Sequence, residues 1–333
     1  MSDRSDVAFA LLQAEAPAEL VARDSDLVLP GGAVQHARDA LGRLHLLVPL
    51  AEDEPAAEDA ASRGVTMHTH ELVDRDVVHR YADVTCQIAS LHDLFAVICD
   101  EMLDAIAAAP MKPGVACKAV VERWRELIGE PSERLLSGQA LSGLLAETHV
   151  LEALARMDPT SALKVWTGPS KGRYDFIGPG LALEAKATTA RERLTVEIHG
   201  VSQLDFPKDS RLFLSVERLE SVPSGGDSVP DAVERLLACG VDTRGLMRAL
   251  GEIGYRPADA TAYLKVRFRT LELRYYSVDE NFPRITALSF TNRDVLERVT
   301  QLRYVLDLTG TPPASLPPME VDGIMRDLVA EGA

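Results

Sequence analysis

With 333 residues, the chain can form one large domain or two modest ones, and its 46% hydrophobic and 26% charged residues are those of a globular protein rather than a disordered or fibrous one. Its net charge of -16 opposes tight unaided binding to nucleic acid, because affinity for phosphates rests largely on Lys and Arg. There is no apolar run long enough to span a membrane, the opening Met1-Ser2-Asp3-Arg4 lacks the basic stretch of a signal peptide, and Cys86, Cys99, Cys117 and Cys239 form no C-x-x-C pair, so a reduced, cytoplasmic protein is expected.

The first ninety residues read as a β-rich module. Helical turns over Val7–Glu19 lead to a strand ending at Pro30-Gly31-Gly32. Leu44–Leu50 has the pattern of a buried strand, Val65–Val73 alternates as a half-buried strand does, and Val84–Ile88 is placed to pair with it. Helices follow. Leu91, Leu94, Phe95, Ile98, Met102 and Ile106 recur at helical spacing, Pro113 opens a second helix through Trp124, and a third spans about Ser137–Met157 before Pro159.

In that third helix, about 100° per residue places Leu144, Val150, Leu151, Leu154 and Ala155 on one apolar stripe, with Glu147 in its middle and Glu152 off it. A carboxylate there is costly unless it is paired or bound to a metal. It reads either as a boundary glutamate hydrogen-bonded to a neighbour or as a ligand.

From Leu163 the pattern becomes successive strands: Leu163–Trp166, Tyr174–Ile177, Leu181–Ala187, Leu194–Ile198 and Arg211–Val216. A long insert after Val216 leads into two helices, one starting near Pro230-Asp231 and one at Asp242-Thr243. Strands over Tyr263–Val278 and Ile285–Phe290 follow, then a helix or helix–strand pair over Val295–Leu308 and a terminal helix over Met319–Val329. The expected division is 1–90, 91–218 and 219–333.

The most informative stretch is Tyr174–Lys186, where two apolar runs are joined by Gly178-Pro179-Gly180, a hairpin signal. Asp175 falls on the first strand. Glu184 and Lys186 project together from the second, away from Leu183, Ala185 and Ala187. Carboxylates supply hard oxygen ligands for Mg²⁺ or Mn²⁺, which lowers the pKa of a bound water and polarises a phosphoryl group. A lysine beside them can orient that water and offset growing negative charge. Asp175, Glu184 and Lys186 suit these catalytic roles. Glu147 would add a carboxylate to the metal, and the backbone carbonyl of Ala185 a further oxygen.

This arrangement resembles the PD-(D/E)XK nuclease superfamily, with Glu147 as the helical acid, Asp175 as the first acid and Glu184-Ala185-Lys186 as the E-x-K, over about Gly138–Val216. Tyr174 stands where the motif's proline would be, a position at which many members also lack it. The resemblance implies an α/β (α+β) restriction-endonuclease-like core: a mixed central sheet flanked by helices, here with a β-rich N-terminal module and C-terminal strand and helix additions. Over most of the chain, including Leu194–Leu204, Arg211–Arg218 and Tyr276–Thr286, it is also similar to a bacterial family of PD-(D/E)XK motif proteins of unknown function. Those proteins are encoded beside DNA methyltransferases, GHKL-type ATPases and helicase-like Z1 ATPases in phage-defence clusters. That resemblance implies restriction of foreign DNA within a complex containing such partners.

Further candidates flank the motif. Gln203 and His199 are candidates for substrate or water contacts, or else an exposed turn glutamine and a sheet-surface histidine. Lys171, Arg173, Arg191, Arg193, Lys208 and Arg211 could track a DNA backbone. Residues 1–160 carry 13 Lys and Arg against 27 Asp and Glu, a net of -14, whereas residues 161–218 carry 9 against 7, a net of +2. The acidic half is a solvated face, a surface for a basic partner or a device that keeps DNA away. His68, His70 and His79, with Glu71 or Asp74, match no strong zinc spacing and read as strand histidines. Neither a G-x-S-x-G nor a Walker A loop is present. Trp124 and Trp166 read as core. Two functions follow: a Mg²⁺-dependent DNA endonuclease subunit, or a catalytically silent nuclease-fold adaptor.

Overall fold

The computed structural model describes residues 5–13, 20–59, 64–74, 77–108, 111–128, 135–170, 172–205, 210–291 and 298–330. The chain divides into two compact units, Met1–Arg134 with Arg256–Thr261, and Leu135–Tyr255 with Ala262–Ala333. The first two helices after residue 91, over His92–Ala107 and Pro113–Ile128, therefore group with the N-terminal sheet.

The first unit opens with helix α1 (Ser5–Gln13); residues 14–19 of the expected helical stretch lie outside the described residues. Strands β1 (Val21–Leu29), β2 (Gly32–Arg38), β3 (Leu44–Pro49), β4 (Val65–Asp74) and β5 (Val77–Cys86) form an antiparallel sheet in the order β1-β2-β3-β5-β4. β3 lies at its centre and is buried along its whole length, as its unbroken apolar run predicts. β2 has no clear strand signal in the sequence, because Gln35, His36 and Arg38 interrupt its apolar pattern; His36 is nonetheless buried, its ring hydrogen-bonded to Ser5 Oγ at 2.8 Å. Helices α2 (His92–Ala107) and α3 (Pro113–Ile128) complete the unit, and α2 buries Leu94, Phe95, Ile98, Met102 and Ile106 as their spacing requires.

The second unit is built on helix α4 (Gly138–Ala155), rich in Leu and Ala and capped by Ser137, whose Oγ accepts from the Ala140 amide at 3.2 Å. Helix α5 (Pro159–Val165) occupies the place of the expected Leu163–Trp166 strand. Asp158 caps it by accepting from the Thr160 and Ser161 amides, with Pro159 at the first helical position, and this start signal outweighs the strand preference of the residues after it. Strands β6 (Phe176–Gly178) and β7 (Leu181–Thr188) form the anticipated hairpin. Pro179 and Gly180 are its two turn residues, and Gly180 takes φ +69°, as the third place of a type II turn demands.

After β8 (Thr195–His199), strand β9 (Arg211–Val222) pairs parallel with β7. It is longer than expected, so the insert begins after Val222. Helices α6 (Val229–Ala238) and α7 (Thr243–Ile253) start where Pro230 and Asp242 mark them, and a helical turn, α8 (Ala260–Tyr263), precedes β10 (Arg267–Ser277). The expected strand from Tyr263 thus begins four residues later. The central sheet is mixed, in the order β10-β9-β7-β6. Ala287–Ser289 is a 3-10 turn capped by Thr286, not the strand expected over Ile285–Phe290. Residues 292–297 lie outside the described residues, and β11 (Arg303–Asp307) pairs with β8. Helix α9 (Pro318–Val329) ends the described chain.

One core cluster joins Ala182 of β7, Leu212, Leu214 and Val216 of β9 and Tyr276 of β10 to Val196 and Ile198 of β8 and Leu306 of β11. Glu184 and Lys186 share the parity of Ala182, so they stand on that same face at the end of the apolar layer. α4 packs against β7 and α6.

Candidate active site

Asp175 lies immediately before β6 rather than on it. Its carbonyl accepts from the Thr167 and Gly168 amides at 2.8 and 3.0 Å, while its carboxylate Oδ2 accepts from the Ala185 amide at 2.8 Å. The hairpin ladder has ended by then, since the last β6–β7 pair is Phe176↔Leu183. A side chain thus replaces the missing strand partner and binds the first acid to the middle residue of the E-x-K. The N–H and C=O of one strand residue point to the same side, so the Ala185 carbonyl is directed toward Asp175.

Glu184 is only 2% exposed. Its Oε1 accepts from Lys186 Nζ at 2.7 Å and from Gln203 Nε2 at 2.6 Å, whereas its buried Oε2 has no hydrogen-bond partner among the described residues. Gln203 is itself fixed, its Oε1 accepting from the His199 amide at 2.8 Å. The chain from His199 through Gln203 to Glu184 aims one carboxylate oxygen and leaves the other unspent. A buried carboxylate oxygen without a donor is expensive, and a ligand that supplies positive charge removes that cost.

Glu147 enters from α4. Its Oε2 accepts from Trp166 Nε1 at 2.9 Å. Trp166 is buried, as expected of a core residue, but its indole N–H also orients the helical acid, a role signalled only by its polar edge. Gly168 marks where the two acids meet. A Cβ there would sit 2.7 Å from Glu147 Oε2 and 3.3 Å from Asp175 Oδ1, so a glycine preserves the space both carboxylates border.

These acids repel one another in a poorly solvated place. Burial, then the charge of Asp175, pushes Glu147 up to about 8. The same two causes raise Glu184 to about 7, and burial raises Asp175 against the opposing pull of Lys186. Burial disfavours the Lys186 ammonium, but Glu184 and Asp175 outweigh it and keep the lysine charged. Among the described residues, no three His, Cys, Asp or Glu side chains are gathered closely enough to hold an ion by themselves. The donor set nonetheless suits a hard divalent cation: acidic oxygens, one of them unpartnered, whose mutual repulsion a cation relieves.

The flanking candidates are placed differently. Arg173 donates to the Ser202 carbonyl at 2.9 and 2.7 Å and lies over the Tyr174 ring at 5.2 Å, so it braces the turn that carries Gln203. Tyr174, at the motif's proline position, donates from its hydroxyl to the Asp205 carbonyl in the same turn. The His199 side chain is exposed. Arg193 pairs with Asp307 at 3.3 Å and Arg211 with Asp327 at 2.7 Å, while Arg191 is exposed. Lys171 and Lys208 lie outside the described residues. In the N-terminal unit, His68 bonds Glu58 Oε2 at 2.9 Å, as an exposed strand histidine does.

The family described as "Putative PD-(D/E)XK family member (DUF4420)" matches residues 18–309. The chain belongs to this family. The match takes in Glu147, Asp175, Glu184 and Lys186 and both structural units, so the N-terminal sheet is part of what defines the family. Membership points to nuclease-like chemistry. No curated protein and no solved structure matches the chain. Among the described residues, no helix is long and apolar enough to cross a membrane.

Proposed function

We propose that this chain is a Mg²⁺- or Mn²⁺-dependent DNA endonuclease, acting in the cytoplasm as the cleaving subunit of an anti-phage restriction complex. The observation that carries the reading is Glu184: buried, held on one oxygen by Lys186 and Gln203, with an Oε2 that has no partner among the described residues. Asp175, Glu184, Glu147 and the Ala185 carbonyl would hold the metal. A bound divalent cation supplies a water of lowered pKa and a counter-charge for the phosphoryl oxygens.

The protein's own groups do the rest. Lys186, 2.7 Å from Glu184, keeps its proton and stands ready to orient the attacking water and offset charge on the transition state. Gln203 holds Glu184 in register, and Trp166 does the same for Glu147. The net charge of -16 supports the assembly: DNA would be brought by partners such as a DNA methyltransferase, a GHKL-type ATPase or a Z1 ATPase.

In the reconstituted complex, phage DNA should be nicked or cut with Mg²⁺ or Mn²⁺, and Glu184→Ala or Lys186→Ala should lower the rate by about 10²–10³ and abolish protection of cells. If both variants protect as well as wild type, the chain is instead a nuclease-fold adaptor. That second reading draws on the lack, among the described residues, of three ligands already gathered around one point.

A further inference from the structure

A cavity of about 600 Å³ opens in the second unit at the far end of β7, lined by Ala187 and Thr188 of that strand, the first turns of α4, and parts of β8, β10 and β11. We propose that it receives one unpaired nucleotide of the DNA strand being cut, base inward, next to the scissile phosphate. The assignment rests on the nuclease reading of the adjoining site.

Position argues first. Ala187 and Thr188 directly follow Lys186, and Thr188 shares its face, roughly 7 Å farther along the strand. Ser142, on the helical wall, precedes Glu147 on α4 by less than two turns. The same two elements that carry the acids and the lysine thus continue into the cavity wall. A strand lying across the site would place its neighbouring nucleotide there.

Lining argues second. No lysine or arginine contributes to this cavity among the described residues, so it is not built for a phosphate. Val196, Val266, Phe268 and Val305 give apolar surface, while Gln139 and the hydroxyl of Thr195 give edges that donate and accept. Apolar faces with a few polar edges form the lining that nucleobase pockets use, and the volume lies within the usual range for small-ligand sites. Among the described residues the cavity's one charged lining residue is Glu197, which pairs with Arg303 at 3.6 Å. A second hollow of about 510 Å³ shares Thr189, Ala190 and Ser221 with the first and has Arg191 on its wall, which places a cation where the nucleotide's own phosphate would leave the cavity.

Space argues third. Among the described residues, a Cβ at Gly138 meets nothing within 4 Å, so one large side chain there can enter the mouth beside α4. Val305 stands on the opposite side and is 65% exposed, so a larger residue there leaves the core intact.

The test uses the full-length chain and a fluorescent twelve-nucleotide single-stranded DNA, with one abasic residue walked along it and binding read by anisotropy in Ca²⁺. For wild type, one abasic position should weaken binding roughly tenfold, because a stacked base is worth about that much, and the other positions should matter little. Gly138→Trp and Val305→Trp should each erase that position dependence. A flat wild-type profile, no binding of the strand, or persistence of the sensitive position in both folded variants overturns the proposal. Cleavage in Mn²⁺ is scored separately, in the reconstituted complex. Position-dependent binding without cleavage by that complex keeps the pocket and removes the nuclease reading; cleavage with a flat profile removes the pocket alone.

Discussion

Glu184 and Glu147 are carboxyls whose pKa values the fold raises, to about 7 and about 8, chiefly by burial and then by the charge of Asp175. Such groups favour the folded state while protonated, so the metal-free protein should lose stability as pH rises from the unfolded value of 4.5 through those values. Divalent cations bind the ionised form and reverse the loss. Thermal melts should therefore show Mn²⁺ raising Tm at pH 8.5 and hardly at pH 5, whereas an equal shift at both pH values would deny that these acids hold the metal. Glu184→Gln should raise the metal-free Tm at pH 8 by roughly 2–4 °C and abolish the Mn²⁺ effect. Gly168→Ala places a methyl 2.7 Å from Glu147 Oε2 and should reduce the Mn²⁺ shift without unfolding the protein; an unchanged shift would show that Gly168 guards no functional space.

At the scale of elements, α4 is fixed from the side opposite Glu147. His149 bonds Glu217 of β9 at 3.0 Å and Asp227 at 3.0 Å, Arg235 of α6 pairs with Asp227, and Glu152 takes Arg156 and Arg235. Burial opposes the charge on His149, but its bonds to Asp227 and Glu217 outweigh it and raise the imidazole to about 9. The stabilisation is complete below 6.5 and fades as pH rises through about 9. His149→Gln should cost roughly 2–3 kcal/mol in urea melts at pH 6 and much less at pH 10; an equal cost at both would mean that packing, not charge, is lost. Only part of this was legible in the sequence. Periodicity located α2 and α4, and Gly-Pro-Gly located the β6–β7 hairpin, because local rules dominate there. Glu152 falls off the apolar stripe in the sequence, yet it is 6% exposed, because Arg235 of α6 and Arg156 pair with it there. α5 carries the residue pattern of a strand, because its cap acts through one aspartate and one proline and not through a repeating pattern.

For the whole molecule, charge is the governing quantity. A chain of net -16 has little to gain from releasing counterions on DNA, and Arg173, Arg193 and Arg211 are engaged within the fold. Binding of duplex DNA by the isolated chain should therefore be weak and only shallowly salt-dependent, and a steep dependence should appear only with basic partners present. Anisotropy titrations across a salt series measure this, and a steep slope for the chain alone would remove the case for recruitment. The shared face of Glu184 and Lys186 could be read from sequence because strand parity is fixed by backbone chemistry, whereas Asp175, expected on a strand, lies just before β6. Trp166, Gly168 and the positions of the arginines could not, because each depends on segments brought together only by folding.

The most direct measurement is the rate of phosphodiester hydrolysis on DNA at saturating Mn²⁺, for wild type and for Glu184→Gln of verified fold. The account predicts metal-dependent cleavage by wild type and a loss of about 10²–10³ in the variant. Equal rates, or cleavage that persists in excess chelator, would contradict it.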